Sequence, residues 1–290
     1  MTCGSLLLEG AHFLKRAGSE SPRLEAEVLL AFAWGRSRTE LMIYPEREVP
    51  VGVVEKFWEL LEGRAAGIPV AYLTGTREFM SLSFLVSPAV LIPRPETELL
   101  AEKALEFLAE WQEKNLSAPL AADVGTGCGA LAVSLACYHP RLRVIATDIS
   151  EEALAVAREN ARRHGVEDRV TFRAGDLLAP LGAEGRAGRG AAVVANLPYI
   201  PHSSLDFLPR DVRYEPRLAL DGGADGLDLY RRLLPQAAAF LAPGGLLACE
   251  VGPGQASLLA GLLEEQGWGE VQVNRDYQGL NRMVTALKRV

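Results

Sequence analysis

Four short apolar runs in the second half of the chain stop abruptly at polar residues, and this constrains the fold more than any other feature. Leu120 to Val124 carries Asp123, Leu142 to Thr147 runs into Asp148, Val170 to Ala174 is followed by Asp176, and Ala191 to Ala195 ends at Asn196-Leu197-Pro198-Tyr199. The last run is small and β-branched without a charge, which fits a strand covered on both faces in a parallel sheet flanked by helices. Ligands of such sheets sit beyond the carboxyl ends of the strands. An isolated Asp is usually a cap or turn residue, and Asn-Leu-Pro-Tyr alone reads equally well as a Pro-containing turn. Three acids closing three successive strands point instead to one ligand bound across the sheet edge.

The first run passes into Gly125, Thr126, Gly127, Cys128 and Gly129, with a helix expected from about Ala130. Glycines at alternate positions let the backbone approach a ligand where a Cβ would collide, and the helix start offers free N–H groups. The spacing is not GxGxxG, which argues against a nicotinamide oxidoreductase. The Asp-Val-Gly-Thr-Gly-Cys-Gly loop and the acid Asp148 resemble the nucleoside-binding half of the S-adenosylmethionine-dependent methyltransferases. Asn196 to Tyr199 is similar to their [N/D/S]-x-P-[Y/F] motif, carried by members that methylate a planar amine or amide nitrogen.

The first 75 residues read as helices: one around Leu6 to Leu14 stopped by Gly18, one from Pro22 to Trp34 with Ser21 as N-cap, a short one over Ser37 to Ile43, and one over Val51 to Ala66. His12 reads as a surface or packing residue, and Phe57 and Trp58 as core. Pro69 to Pro93 reads as a linking β-hairpin, and a helix starts at Arg94-Pro95. Gly182 to Gly190 reads as a surface loop, and His202 to Asp221 as a polar connection suited to covering a peptide. Pro235 is expected to kink or divide the helix over Leu227 to Leu241. A turn at Pro243-Gly244-Gly245 should precede a strand over Leu246 to Val251, whose Glu250 is either structural or faces the pocket. Val271 to Arg275 and Met283 to Lys288 should pair as a closing hairpin.

No segment of the 290 residues is long and apolar enough to span a bilayer, and the start lacks a secretory signal, so a cytoplasmic protein without membrane contact is expected. Cys3, Cys128, Cys137 and Cys249 lack metal or disulfide spacing, so no metal is expected. A formal net charge of −7 argues against broad binding to nucleic acid.

Taken together, Pro69 to Glu102, the glycine loop, Asn196 to Tyr199 and Glu215 to Leu234 resemble the release factor glutamine methyltransferases (PrmC or HemK) over nearly the whole chain. The resemblance implies an α/β fold: a Rossmann-like methyltransferase domain over 94–290, with a mostly parallel seven-stranded sheet and a C-terminal antiparallel hairpin. A helical bundle over 1–75 that recognises substrate and a β-hairpin over 76–93 would precede it. It implies a monomeric enzyme that uses S-adenosyl-L-methionine to methylate the glutamine amide of the GGQ motif of peptide-chain release factors. Gly125, Thr126, Gly127, Cys128 and Gly129 would then hold the methionine part of the cofactor, Asp148 its ribose, and Asp176 and Leu177 its adenine. Asn196 would touch both cofactor and substrate amide, Leu197, Pro198 and Tyr199 would complete the substrate pocket, and Arg94 would lie beside it. The family usually has Pro where Leu197 stands, and the Asn-Leu-Pro-Tyr form resembles the ribosomal RNA adenine dimethyltransferases. N6-adenine methylation of RNA is therefore the second hypothesis, and a binding module that has lost catalysis the third.

Overall fold

Local signals place several helix boundaries. Ser37 and Glu40 form a reciprocal capping box, Pro22 opens a helix that closes on Gly35 in the left-handed conformation, and Thr2 accepts from Ser5 N–H at the first helix. In the computed structural model, which describes residues 1–115, 117–182 and 187–289, the chain forms two units. One is Met1–Thr76 with Pro209–Tyr214, the other Arg77–Leu208 with Glu215–Val290.

The first unit holds helices α1 Cys3–Arg16, α2 Pro22–Trp34, α3 Arg38–Ile43, α4 Val51–Ala65 and α5 Val70–Thr74. Leu6, Leu14, Leu29, Leu30, Phe57 and Leu61 form its core. Gly10 lets α4 approach, since a Cβ there would lie 2.7 Å from Phe57. Phe57 is buried and Trp58 packs against the core, while His12 is exposed. The stretch from Pro69 expected to form the hairpin is corrected at its start: Val70–Thr74 is the helix α5, which Gly75 in the left-handed region stops. Arg210 and Tyr214, from the connection expected to cover a peptide, belong to this unit: their side chains donate to the carbonyls of Ala65 and Ala66, at 3.2 and 3.0 Å.

The second unit opens with strands β1 Thr76–Phe79 and β2 Leu82–Leu85, joined through Met80 and Ser81, both at positive φ. Then follow α6 Glu96–Lys114, β3 Leu120–Val124, α7 Ala130–Tyr138, β4 Arg143–Asp148, α8 Glu151–Arg163, β5 Val170–Ala174, α9 Ala179–Gly182 and β6 Gly190–Ala195. After 3₁₀ turns at His202–Phe207, Val212–Tyr214 (in the first unit) and Arg217–Ala219 come α10 Asp228–Phe240, β7 Leu241–Glu250, α11 Ala256–Glu265, β8 Gly269–Arg275 and β9 Asn281–Leu287. Seven strands are ordered β5-β4-β3-β6-β7-β9-β8, with β9 antiparallel to both neighbours and the others parallel. The chain moves outward from β3 to β4 and β5, then returns to place β6 on the other side. That reversal opens a crevice above β3 and β6, and the register Val124 to Ala195 sets Gly125 beside Asn196.

Two expectations are corrected. Pro235 does not divide α10, because Leu233, Leu234, Ala237 and Phe240 bury one continuous face that offsets the missing N–H bond. Pro243-Gly244-Gly245 is not a turn ahead of β7 but a bulge within it, with Gly190 opposite Leu241 and Ala192 opposite Leu246. Of the expected Gly182 to Gly190 loop, 183–186 lie outside the described residues.

One buried side chain ties the hairpin and the glycine loop to α8. Asn160 accepts from Leu85 N–H at 2.7 Å and donates to the carbonyls of Leu85 and Cys128, at 3.0 and 2.8 Å. Asn160→Leu leaves the buried Cys128 carbonyl and the half-buried Leu85 N–H and carbonyl unpaired, and a loss of roughly 2–4 kcal/mol is expected. The shift of the denaturant midpoint measures it.

Candidate active site

Above the crevice lies a cavity of about 420 Å³, its wall built by ends of β3, β4, β5 and β6 and by two loop segments. From the glycine loop it takes Gly125 and Gly127, from the ends of β4 and β5 Asp148, Ile149, Asp176 and Leu177, and from the end of β6 Asn196, Leu197 and Pro198. The segments Pro88 to Leu91 and Pro216 to Ala219, with Leu229 and Arg232, close the remaining sides. A different cavity of about 530 Å³ lies in the helical unit, where Arg64 faces Glu25 at 3.0 Å and Asp211 at 3.7 Å.

Gly125 and Gly127 both lie at positive φ, and a Cβ on Gly125 would come within 2.9 Å of Leu197. Neither of these two positions therefore admits a β-branched or bulky residue. Its shape is fixed from two sides. The Asp148 carboxylate accepts from Gly127 N–H and Ser150 N–H, both at 2.9 Å. Buried Asp123 accepts from the Thr126 hydroxyl at 2.6 Å and from Ala132 N–H at 3.0 Å. The expected convergence of three acids on one ligand is thus corrected: Asp123 turns inward to hold the loop, whereas Asp148 and Asp176 reach the cavity.

Other expected site residues also stand elsewhere. Thr126 turns under the loop to Asp123, and Cys128 is buried behind it. Gly129 sits against α8, where a Cβ would lie 3.1 Å from Ala157. Arg94 is drawn away by the buried carboxylate of Glu215, which also accepts from Ile92 N–H at 2.9 Å. The Tyr199 ring lies off the cavity wall and shares a hydrogen bond with Glu250; burial, then the Glu250 charge, pushes its hydroxyl up to about 12.

Asn196 is held through residues that its neighbourhood in sequence did not suggest. Its amide nitrogen donates to the Thr97 hydroxyl at 2.9 Å, and that hydroxyl donates to Glu250 at 2.6 Å. Leu197 N–H donates to the Tyr230 hydroxyl at 3.2 Å, and Tyr230 donates in turn to the Glu250 carbonyl. The buried Leu197 side chain packs into the sheet core. Thr97 lies within Arg-Pro-Glu-Thr-Glu, which locally reads as helix initiation only, and nothing in the sequence links it to Asn196 99 residues away.

Burial pushes the carboxyls of Asp123 and Glu250 up to about 7, and burial also raises Asp148 against the pull of its backbone donors. Between about pH 4 and 7 the folded chain therefore holds protons on Asp123 and Glu250 that the unfolded chain has released. Stability from this pair is greatest at the acid end of the window and falls as pH rises through it. The depressed acids Glu159 and Asp225, at about 2, titrate below this window. The melting temperature is expected to be higher at pH 5.5 than at pH 7.5, and Asp123→Asn should flatten that dependence; a rise toward pH 7.5 would contradict it.

The cavity suits a nucleoside. Asp148 keeps acceptor capacity beyond its backbone donors, matching sugar hydroxyls, and Ile149, Leu177, Val90 and Leu229 offer apolar walls for a flat base. Among the described residues no group of three or more His, Cys, Asp or Glu could hold a metal, and no helix is long and apolar enough to cross a membrane.

Comparison with known proteins agrees with this geometry. Residues 5–75 match the family described as PrmC N-terminal domain, and residues 121–209 the family described as methyltransferase domain. The release factor glutamine methyltransferase of Moorella thermoacetica is 50% identical, covering 100% of this chain and 99% of its own. That of Geobacter sulfurreducens is 40% identical over 94% of this chain and 92% of its own. That of Deinococcus radiodurans is 39% identical over 99% and 98%. Among solved structures, the hMettl16 catalytic domain in complex with a 3′UTR hairpin has a TM-score of 0.56 at 16% identity, covering 80% of this chain and 82% of that one. A methyltransferase from Pyrococcus furiosus has 0.51 at 19% identity, covering 73% and 91%. These two show the fold alone, a Rossmann-like methyltransferase, and S-adenosyl-L-methionine is the cofactor consistent with fold and family. With a full-length relative at 50% identity and a cavity that joins Asp148 to Asn196, the chain belongs to the release factor glutamine methyltransferase family.

Proposed function

We propose that this protein transfers a methyl group from S-adenosyl-L-methionine to the side-chain amide nitrogen of a glutamine in peptide-chain release factors, the GGQ glutamine that the resemblance implies. The observation that supports it most is the cavity that Asn196, Leu197 and Pro198 line together with Asp148 and the glycine loop. Full-length relatives bearing that name support the choice of substrate. Asp148 would hold the sugar of the cofactor, Gly125 and Gly127 would admit its methionine part, and Leu177 and Ile149 would line its base. When bound, the cofactor supplies a methyl group on a positively charged sulfur, which departs as a neutral thioether.

A carboxamide nitrogen is a poor nucleophile because its lone pair is delocalised into the carbonyl. With the Asn196 nitrogen engaged by Thr97, its Oδ1 is the end left to accept one N–H of the substrate. The Leu197 carbonyl accepts the other, and Leu supplies that carbonyl as well as Pro would. Two acceptors in fixed directions favour a pyramidal nitrogen and stabilise the positive charge developing on it. Both are neutral, so they orient the substrate protons without removing one beforehand, and the methylated nitrogen, left with one proton too many, releases it to solvent after transfer. Because Tyr199 stands at Glu250, it supports this pair from behind rather than walling the pocket.

An adenine amino group presents a similar flat NH₂, but a net charge of −7 and the names of the relatives favour a protein substrate. A release factor as substrate also places the enzyme in the cytoplasm. Radiolabelled methyl transfer to purified release factor, against ribosomal RNA as competitor, tests the reading. Label in the glutamine-containing peptide is expected, and label in RNA alone would overturn it.

A further inference from the structure

Thr97 has a single hydroxyl proton. It is given to Glu250 at 2.6 Å, so toward Asn196 the same oxygen can only accept, and the Asn196 group facing it must be the NH₂. The two ends of a carboxamide have almost the same shape, so packing cannot choose between them. The choice rests on the direction of the hydrogen bonds, and that direction begins at Glu250. All three side chains converge from separate elements: Thr97 from the first turn of α6, Glu250 from the last residue of β7, and Asn196 from just beyond β6. Thr97 and Glu250 are both buried, which keeps water from substituting for either partner.

We propose that Glu250, acting through Thr97, sets which end of the Asn196 amide faces the substrate and so serves as a positioning residue for methyl transfer. The inference rests on the reading of Asn196 as the acceptor of a substrate N–H. With Glu250 ionised, Oδ1 of Asn196 is turned to the cavity. With Glu250 protonated, the carboxyl donates to Thr97, the Thr97 proton swings to Asn196, and the amide is stable only when reversed. A donor NH₂ then meets the donor NH₂ of the substrate, and the acceptor pair is lost. Leu197 depends on the same residue, since Tyr230 bridges its N–H to the Glu250 carbonyl.

The groups facing Glu250 are Thr97 and Glu96 from α6, Tyr199 beyond β6, Tyr230 from α10, and Arg282 from β9, which lies 3.5 Å from Asp276. Burial is the largest influence and raises the carboxyl to about 7, with Glu96 adding to the rise and Thr97, Arg282 and Tyr199 opposing it. Ionisation therefore occurs where the enzyme would operate, and methyl transfer gains with pH through that point.

The test uses the full-length enzyme with release factor as substrate. kcat, KM, cofactor Kd and the pH dependence of kcat between 5.5 and 9 are measured for wild type, Thr97→Val, Thr97→Ser, Glu250→Gln and Asn196→Ala. Wild type is expected to show a rising limb in kcat centred near 7. Thr97→Val, similar in shape but without the hydroxyl, should lose about tenfold or more in kcat, the equivalent of one lost hydrogen bond. Its cofactor Kd should be unchanged, which also reports that the fold is intact, and Thr97→Ser should recover most of the rate. Glu250→Gln should lose rate similarly and lack the limb. The inference is overturned if Thr97→Val and Glu250→Gln keep the wild-type kcat, or if Glu250→Gln keeps the limb. Where that happens while Asn196→Ala is crippled, only the positioning role fails. If Asn196→Ala is itself near normal, the underlying reading of the site fails with it.

Discussion

Asn196→Ala is expected to lower kcat for release factor methylation by about 10²–10³-fold, the usual cost of removing one preorganised polar group at a developing charge. Alanine removes the acceptor, frees the Thr97 hydroxyl from its partner, and leaves the Leu197 carbonyl as a single contact that cannot fix the nitrogen in two directions. Cofactor affinity should change only a few-fold, because the polar group best placed for the sugar is Asp148, on a different strand. Steady-state kinetics with a parallel cofactor titration separate the two effects. Turnover within a few-fold of wild type would remove Asn196 from the chemistry, whatever its place in the cavity wall.

Asp148→Asn is expected to do the converse. The carboxylate accepts from Gly127 N–H and Ser150 N–H while keeping capacity for ligand donors. Asparagine has one acceptor oxygen and an NH₂, so it must either present a donor to the Gly127 N–H or turn a donor toward the sugar. Hydrogen bonds to a charged group contribute about 1.5–3 kcal/mol each, so losing one should weaken cofactor binding about tenfold or more. Calorimetric titration with S-adenosyl-L-methionine and with its demethylated product measures this. An affinity within about threefold of wild type would mean the nucleoside is held elsewhere.

The opposite pH trends expected for stability and turnover share one contributor, Glu250. Glu250 is most comfortable protonated in its buried place, so the fold is favoured toward acid. The acceptor geometry of Asn196 needs the same group ionised. A site that charges a buried carboxyl to orient an amide gives up stability for the direction of a hydrogen bond, and the bond to Thr97 and the charge of Arg282 offset part of that cost.

What the sequence determined by itself was the periodic part of the molecule. Apolar runs over 120–124, 191–195 and 246–251 specify strands because a parallel sheet buries both faces, and Pro22, Ser37 and Gly35 specify helix ends because their effects are confined to one turn. Asp148, Gly125, Gly127 and Asn196 were legible for the same reason: they lie at or just beyond the ends of β4, β3 and β6, where the chain must turn. Only the tertiary structure decided that Asp123 faces inward, that Arg94 is captured by Glu215, and that Thr97 and Glu250 stand behind Asn196. The contacts of Arg94, Thr97, Glu250 and Asn196 join residues 99 to 153 positions apart, and a hydrogen bond between them depends on where separate elements cross. No local spacing encodes that crossing, because the order β5-β4-β3-β6-β7-β9-β8 brings together the ends of strands that the chain reaches at different times.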